Sequence, residues 1–166
     1  MLRTLRATAP VGLVPLAWTF AASAHLEVLS ARAVLIGQLV MTAVLVAFAV
    51  LSYPEMRRDP VLRVWLGVVV AGIPVTLAGA YGVAATEPVG THLAVFGWML
   101  LPALALVRTA RATELSTRVY GIAAASSGAG AVVFLVSALL GGGLTPLALG
   151  FAGAGQTLSI VAAVRE

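Results

Sequence analysis

Long apolar runs, broken at near-regular intervals by short polar stretches, dominate the pattern of this chain. The runs cover Pro10 to Leu29, Ala31 to Tyr53, Val61 to Ala84, Pro88 to Val107, Val119 to Leu140 and Thr145 to Val164. Each is close to the roughly 20 residues that an α-helix needs to cross a hydrocarbon core about 30 Å thick. The links "YPEMRRDP", "ATEPVG", "RTARATELSTR" and "GGGLTP" carry the proline, glycine and charged residues expected of turns. Only "LSAR", between the first two runs, is weakly marked. No stretch is left over for a soluble domain. The pattern predicts an all-α, polytopic transmembrane helical bundle of about six helices, a single transmembrane domain over residues 1–166.

Composition agrees. Hydrophobic residues make up 61% of the chain and charged residues 10%, and the mean hydropathy is +1.06, too little polar surface to cover a water-soluble globule. The expected partner is a lipid bilayer and the expected location the cell membrane, multi-pass. There is no cysteine, so disulfides, thiolate metal sites and cysteine nucleophiles are excluded. All ten basic residues are arginine, which excludes a lysine Schiff base. The net charge of +4 does not point to nucleic acid, because the arginines fall in short clusters between the runs. With a cytoplasmic N-terminus, Arg3, Arg6, Arg57, Arg58, Arg63, Arg108, Arg111, Arg118 and Arg165 lie inside and only Arg32 outside. That distribution predicts an N-in, C-in topology.

The N-terminus admits a second reading. "MLRTLR", an apolar stretch and the small residues Ala22 to Ala24 have the layout of a cleavable secretory signal, whose removal would leave His25 as a new N-terminus ahead of five helices. The length of the run favours a retained first helix.

Several features predict packing. Gly121, Ala125 and Ala129, and Gly150 and Ala154, recur at the small-xxx-small spacing that lets helix backbones approach closely. Pro74 and Pro102 should bend the third and fourth runs. Ser126 and Ser127 have backbone carbonyls or a neighbouring helix as partners, and Gln38 and Gln156 are expected to hydrogen-bond between helices.

The two histidines carry the sharper expectation. His25, in "SAHLEVLS", lies four residues before the end of the first run, and His92, in "THLAVFGW", four residues after the start of the fourth. At 1.5 Å per residue both sit about 6 Å deep on the same, outer side. An imidazole in lipid is costly and tends to face the protein interior. His92, Phe96 and Met99 share one helix face, an imidazole above an apolar wall. The arrangement predicts His25 and His92 as axial ligands of one b-type haem, or as metal ligands, with Phe96 and Met99 lining the site. The plainer alternative is an interfacial pair, with Glu27 or Glu87 bonded to a histidine or to Arg32.

Thr91 to Trp98 resembles a "His-Leu-x-x-x-Gly-Trp" segment of small membrane proteins related to subunit I of haem-copper oxidases and nitric oxide reductases. That resemblance, over eight residues, implies haem binding by histidine within a helical bundle. The family's dense histidine set, including its copper ligands, is absent here, so the resemblance implies at most one haem and no reduction of oxygen.

No phosphate-binding glycine loop, zinc-protease signature or serine nucleophile elbow occurs, and no catalytic residue is assigned. Two classes of function follow. One is a haem protein for electron transfer or small-molecule sensing at the outer face, with a redox partner. The other is a non-enzymatic small transporter, or an accessory or assembly subunit of a larger membrane complex.

Overall fold

A computed structural model describes the backbone of residues 2–113 and 117–165, and the side chains of 12–113 and 117–164. The side chains of Arg3, Arg6 and Arg165, used above for the orientation, lie outside the described residues. The described chain forms six helices: α1 (Leu2–His25), α2 (Ala31–Met56), α3 (Pro60–Ala84), α4 (Pro88–Ala112), α5 (Thr117–Leu139) and α6 (Thr145–Arg165). Helices α2 to α6 are each long and apolar enough to cross a membrane, so the chain is an integral membrane protein.

Local chemistry sets the boundaries. Ser30 caps α2 by accepting from Ala33 N at 3.2 Å, and Asp59 Oδ1 caps α3 by accepting from Val61 N and Leu62 N at 2.8 and 2.9 Å. Glu87 caps α4 through Val89 N and Gly90 N. Each cap satisfies amides that the first turn leaves without a partner. Pro60 and Pro88 follow the α3 and α4 caps, where a missing N–H costs nothing. Helices α1, α3 and α5 end alike. The bonds from Val28 N to Ser23 O (2.9 Å), Glu87 N to Gly82 O (2.7 Å) and Gly142 N to Ser137 O (2.7 Å) are the six-to-one closures of Schellman turns. The turning residues Glu27, Thr86 and Gly141 have φ of 57°, 54° and 88°. Pro54, Pro74 and Pro102 lie within helices that continue past them.

Sequence neighbours pack on one another from α2 through α6, and α1 returns to pack on α6. Helix α4 is central, with nine buried residues. Helix α2 is peripheral, with three. Its Val40, Val50 and Leu51 stay 57–68% exposed, as a lipid-facing surface requires. One core cluster joins Met99, Ala131, Phe134, Ala148, Leu149 and Ala152, with Trp18, Ala21 and Ala22 of α1 against it. A second joins Leu106, Ala110, Tyr120, Ala123 and Ala124, with Trp65 and Ala162 against it.

The small residues work in a different phase from the expected one. Ala125, Ala129, Gly150 and Ala154 are exposed. The α5–α6 contact uses Ala123, Ser127 and Gly130 against Ala148, Ala152 and Gly155. A Cβ on Gly130 would lie 2.8 Å from Ala148 O, and one on Gly155 2.7 Å from Ala123 O. At Gly150 it would meet nothing.

Candidate functional site

A hydrogen-bond network at the centre of the bundle joins four helices through Gln156. Its Oε1 accepts from Trp18 Nε1 of α1 at 3.0 Å. Its Nε2 donates to Trp98 O of α4 at 2.9 Å and to Ser127 Oγ of α5 at 3.0 Å. Ser127 in turn donates to Met99 O at 2.9 Å. The Trp98 indole extends the chain to α3, donating to Thr76 Oγ1 at 3.0 Å, and Thr76 donates to Gly72 O. Trp65 repeats the device nearer the other end, donating to Thr109 Oγ1 at 3.1 Å. Each of the chain's three tryptophans thus donates its indole N–H to another helix. Lipid tails are as apolar as leucine, so burial gives little drive for helices to associate in a bilayer. Such bonds and close packing supply it instead.

The expectations for Ser126, Ser127 and Gln156 agree with this arrangement, Ser126 donating to Phe151 O of α6 at 2.8 Å. Gln38 departs from it. Its amide lies over Gly79 of α3, where a Cβ would be 2.9 Å from Nε2, and it makes no side-chain hydrogen bond among the described residues.

Both histidines lie at the end of the bundle where α5 turns into α6. His25 lines a groove with Pro146, and the His92 ring meets Phe134 edge-on, centroids 5.8 Å apart at 71°. Their positions within their helices differ from the expected match. The Schellman turn at Glu27 makes His25 the last residue of α1, whereas His92 is four residues inside α4. Both are exposed, and they line different grooves. His25 sits on the α1–α6 groove, about 510 Å³, beside Trp18, Ala22, Gly150 and Ala154. His92 sits on an α4–α5 groove of about 200 Å³ with Phe96 and Phe134. No lining residue is common to the two.

The wall expected beside His92 is present but occupied. Met99 is completely buried, packed with Ala131, Phe134, Leu149 and Ala152, and Phe96 lies against that cluster. Protein side chains hold the space under the imidazole. Among the described residues no group of three or more His, Asp or Glu side chains comes together in metal-binding range.

No family model, curated protein or solved structure matches this chain.

Proposed function

We propose that the chain is a non-enzymatic accessory or assembly subunit of the cell membrane, with both ends cytoplasmic and its first helix retained. One observation carries this reading: the polar interior is mostly spent on hydrogen bonds between helices. The buried polar side chains among the described residues are Ser52, Thr76, Thr109, Ser127, Ser137, Thr145, Gln156 and Ser159, all uncharged. None leaves a buried polar atom without a hydrogen-bond partner. A proton or ion path, or a buried redox centre, calls for ionisable or ligating groups that face the interior. Here the two histidines are exposed on surface grooves. A retained first helix is supported by Trp18, which brings α1 into the Gln156 network.

The haem reading rests on the resemblance of residues 91–98 and on both histidines lying at one end of the bundle. A visible absorption spectrum of the purified protein separates the two. The accessory reading expects no Soret band. A Soret band that disappears in both His25→Ala and His92→Ala overturns it. The orientation is tested in this cysteine-free chain by placing single cysteines at Arg111 and at Glu27. The expected result is that a membrane-impermeant thiol reagent reaches only the second from outside.

A further inference from the structure

We infer that the arginine-bearing end of the bundle is a docking surface for the phosphate of anionic phospholipid headgroups. It is built by Arg57, Arg58 and Arg63 at the α2–α3 turn, with Arg108, Arg111 and Arg118 around the link from α4 to α5. The fold brings the two groups to one end. The bond from Trp65 Nε1 to Thr109 Oγ1 ties the start of α3 to the end of α4, and Tyr120, at the start of α5, packs in a single cluster with Trp65, Leu106 and Ala110.

All six guanidiniums are exposed, and none forms an ion pair among the described residues. The carboxylates of the turn form no ion pair with them among the described residues. Asp59 Oδ1 is engaged by Val61 N and Leu62 N, and exposed Glu55 has no ion-pair partner among the described residues. Two of the arginines are already held. Arg63 donates from Nε and Nη2 to Arg57 O at 3.2 and 3.0 Å, which uses two of its five N–H donors. The Arg57 guanidinium carbon stands 5.6 Å from the centre of the Tyr53 ring, a cation–π arrangement. A guanidinium fixed this way loses less freedom when it binds phosphate, and its planar fork matches phosphate oxygens.

Depth decides between a lipid phosphate and a free one. Tyr53 and Trp65 are of the residue types that settle at the membrane–water interface. Arg57 lies one turn beyond Tyr53 and Arg63 two residues before Trp65, which puts their charges level with headgroups. Leu51, Leu62 and Val107, 60%, 43% and 38% exposed, carry the apolar surface up to the same level. A lipid meets arginines at its head and apolar side chains along its tails. A free phosphate meets only the first.

The test uses the full chain in a zwitterionic detergent, with lipid retention read by native mass spectrometry against phosphatidylglycerol and phosphatidylcholine. Phosphatidylglycerol is expected to be retained in preference, with the preference falling ~5-fold for each arginine neutralised near the surface. Arg57→Gln, Arg58→Gln and Arg63→Gln together should remove most of it, and Arg108→Gln with Arg111→Gln should lower it independently. Arg32→Gln, at the opposite end, should leave it unchanged. Equal retention of the two lipids, or full preference in both multiple variants, overturns the inference. Displacement of phosphatidylglycerol by an equal concentration of inorganic phosphate also overturns it, because the ligand would then be the free anion.

Discussion

Replacing Gln156 with leucine tests whether the central network holds the bundle together. Leucine is close to glutamine in length, so little cavity forms and the change is mainly loss of the amide. Three hydrogen bonds disappear: those from Trp18 Nε1, to Trp98 O and to Ser127 Oγ. Their worth is unequal. Ser127 keeps its own acceptor in Met99 O, but Trp98 O lies four residues before Pro102, which has no N–H to offer it, so this carbonyl loses its donor. The indole of Trp18 is left with no acceptor. At about 0.6 kcal/mol for an average interhelical bond in a membrane, and at most about 1.7, three bonds give about 2 kcal/mol. Orphaning the indole and the Trp98 carbonyl adds a penalty of about 1 kcal/mol for each where it remains out of water. The expected loss is therefore about 3–4 kcal/mol, read as the shift in reversible unfolding by denaturing detergent in mixed micelles. A double-mutant cycle with Trp18→Phe isolates the α1–α6 bond and should return a coupling of about 0.5–1.7 kcal/mol. If Gln156→Leu unfolds within about 0.5 kcal/mol of the parent, or the cycle shows no coupling, the network is incidental to the fold.

Alanine at Gly155 or Gly130 places a Cβ within 2.8 Å of a facing backbone carbonyl and should destabilise by about 1–3 kcal/mol in the same unfolding assay. The same change at Gly150, where a Cβ meets nothing, should stabilise by about 0.5–1 kcal/mol through helix propensity; equal effects at the three sites would contradict the observed α5–α6 register. Thr86, β-branched at φ 54°, carries a conformational cost of about 1–2 kcal/mol, so Thr86→Gly should raise stability by about 1 kcal/mol after the glycine's extra freedom in the unfolded chain is counted. A decrease would mean that the threonine side chain makes a compensating contact.

How much of this was legible in the sequence depends on whether a feature is local. The starts of α2, α3 and α4 were, because Ser30, Asp59 and Glu87 cap through side chains that reach only two or three residues ahead, whereas α1 begins at Leu2 rather than Pro10. The end of α1 was not. Its Schellman turn places Glu27 at φ 57°, a conformation usually given to glycine, so no breaker marks the point and the run reads four residues too long. That difference removes the matching four-residue offset of His25 and His92 from their helix ends. The phase of the small-residue stripes was hidden for another reason. Along α5 and α6 most residues are small or apolar, so several stripes satisfy the same spacing, and only the neighbouring helix selects Ala123, Ser127 and Gly130 over Gly121, Ala125 and Ala129.

Polar residues resolve that ambiguity where apolar ones leave it open. In lipid a hydrophobic residue gains nearly as much from a lipid tail as from a neighbouring helix, so its rotational position is weakly specified. An amide or indole N–H has no such indifference, since without a partner it bears the cost of an unmade bond. Gln156 can meet its partners only if α1, α4 and α5 present Trp18, the Trp98 carbonyl and Ser127 to a single point, which sets the rotation of four helices together. Thr76 and Thr109 extend the same control to α3 through Trp98 and Trp65. Helix α2 lies outside this system: its one mid-membrane side-chain amide, on Gln38, makes no hydrogen bond among the described residues and packs over Gly79. The architecture thus predicts that α2 is the helix least fixed in rotation. In a detergent-solubilised sample, backbone amide exchange should be fastest in α2 and slowest in α4 among the membrane-crossing helices, and the reverse order would show that apolar packing, rather than the polar network, sets the fold.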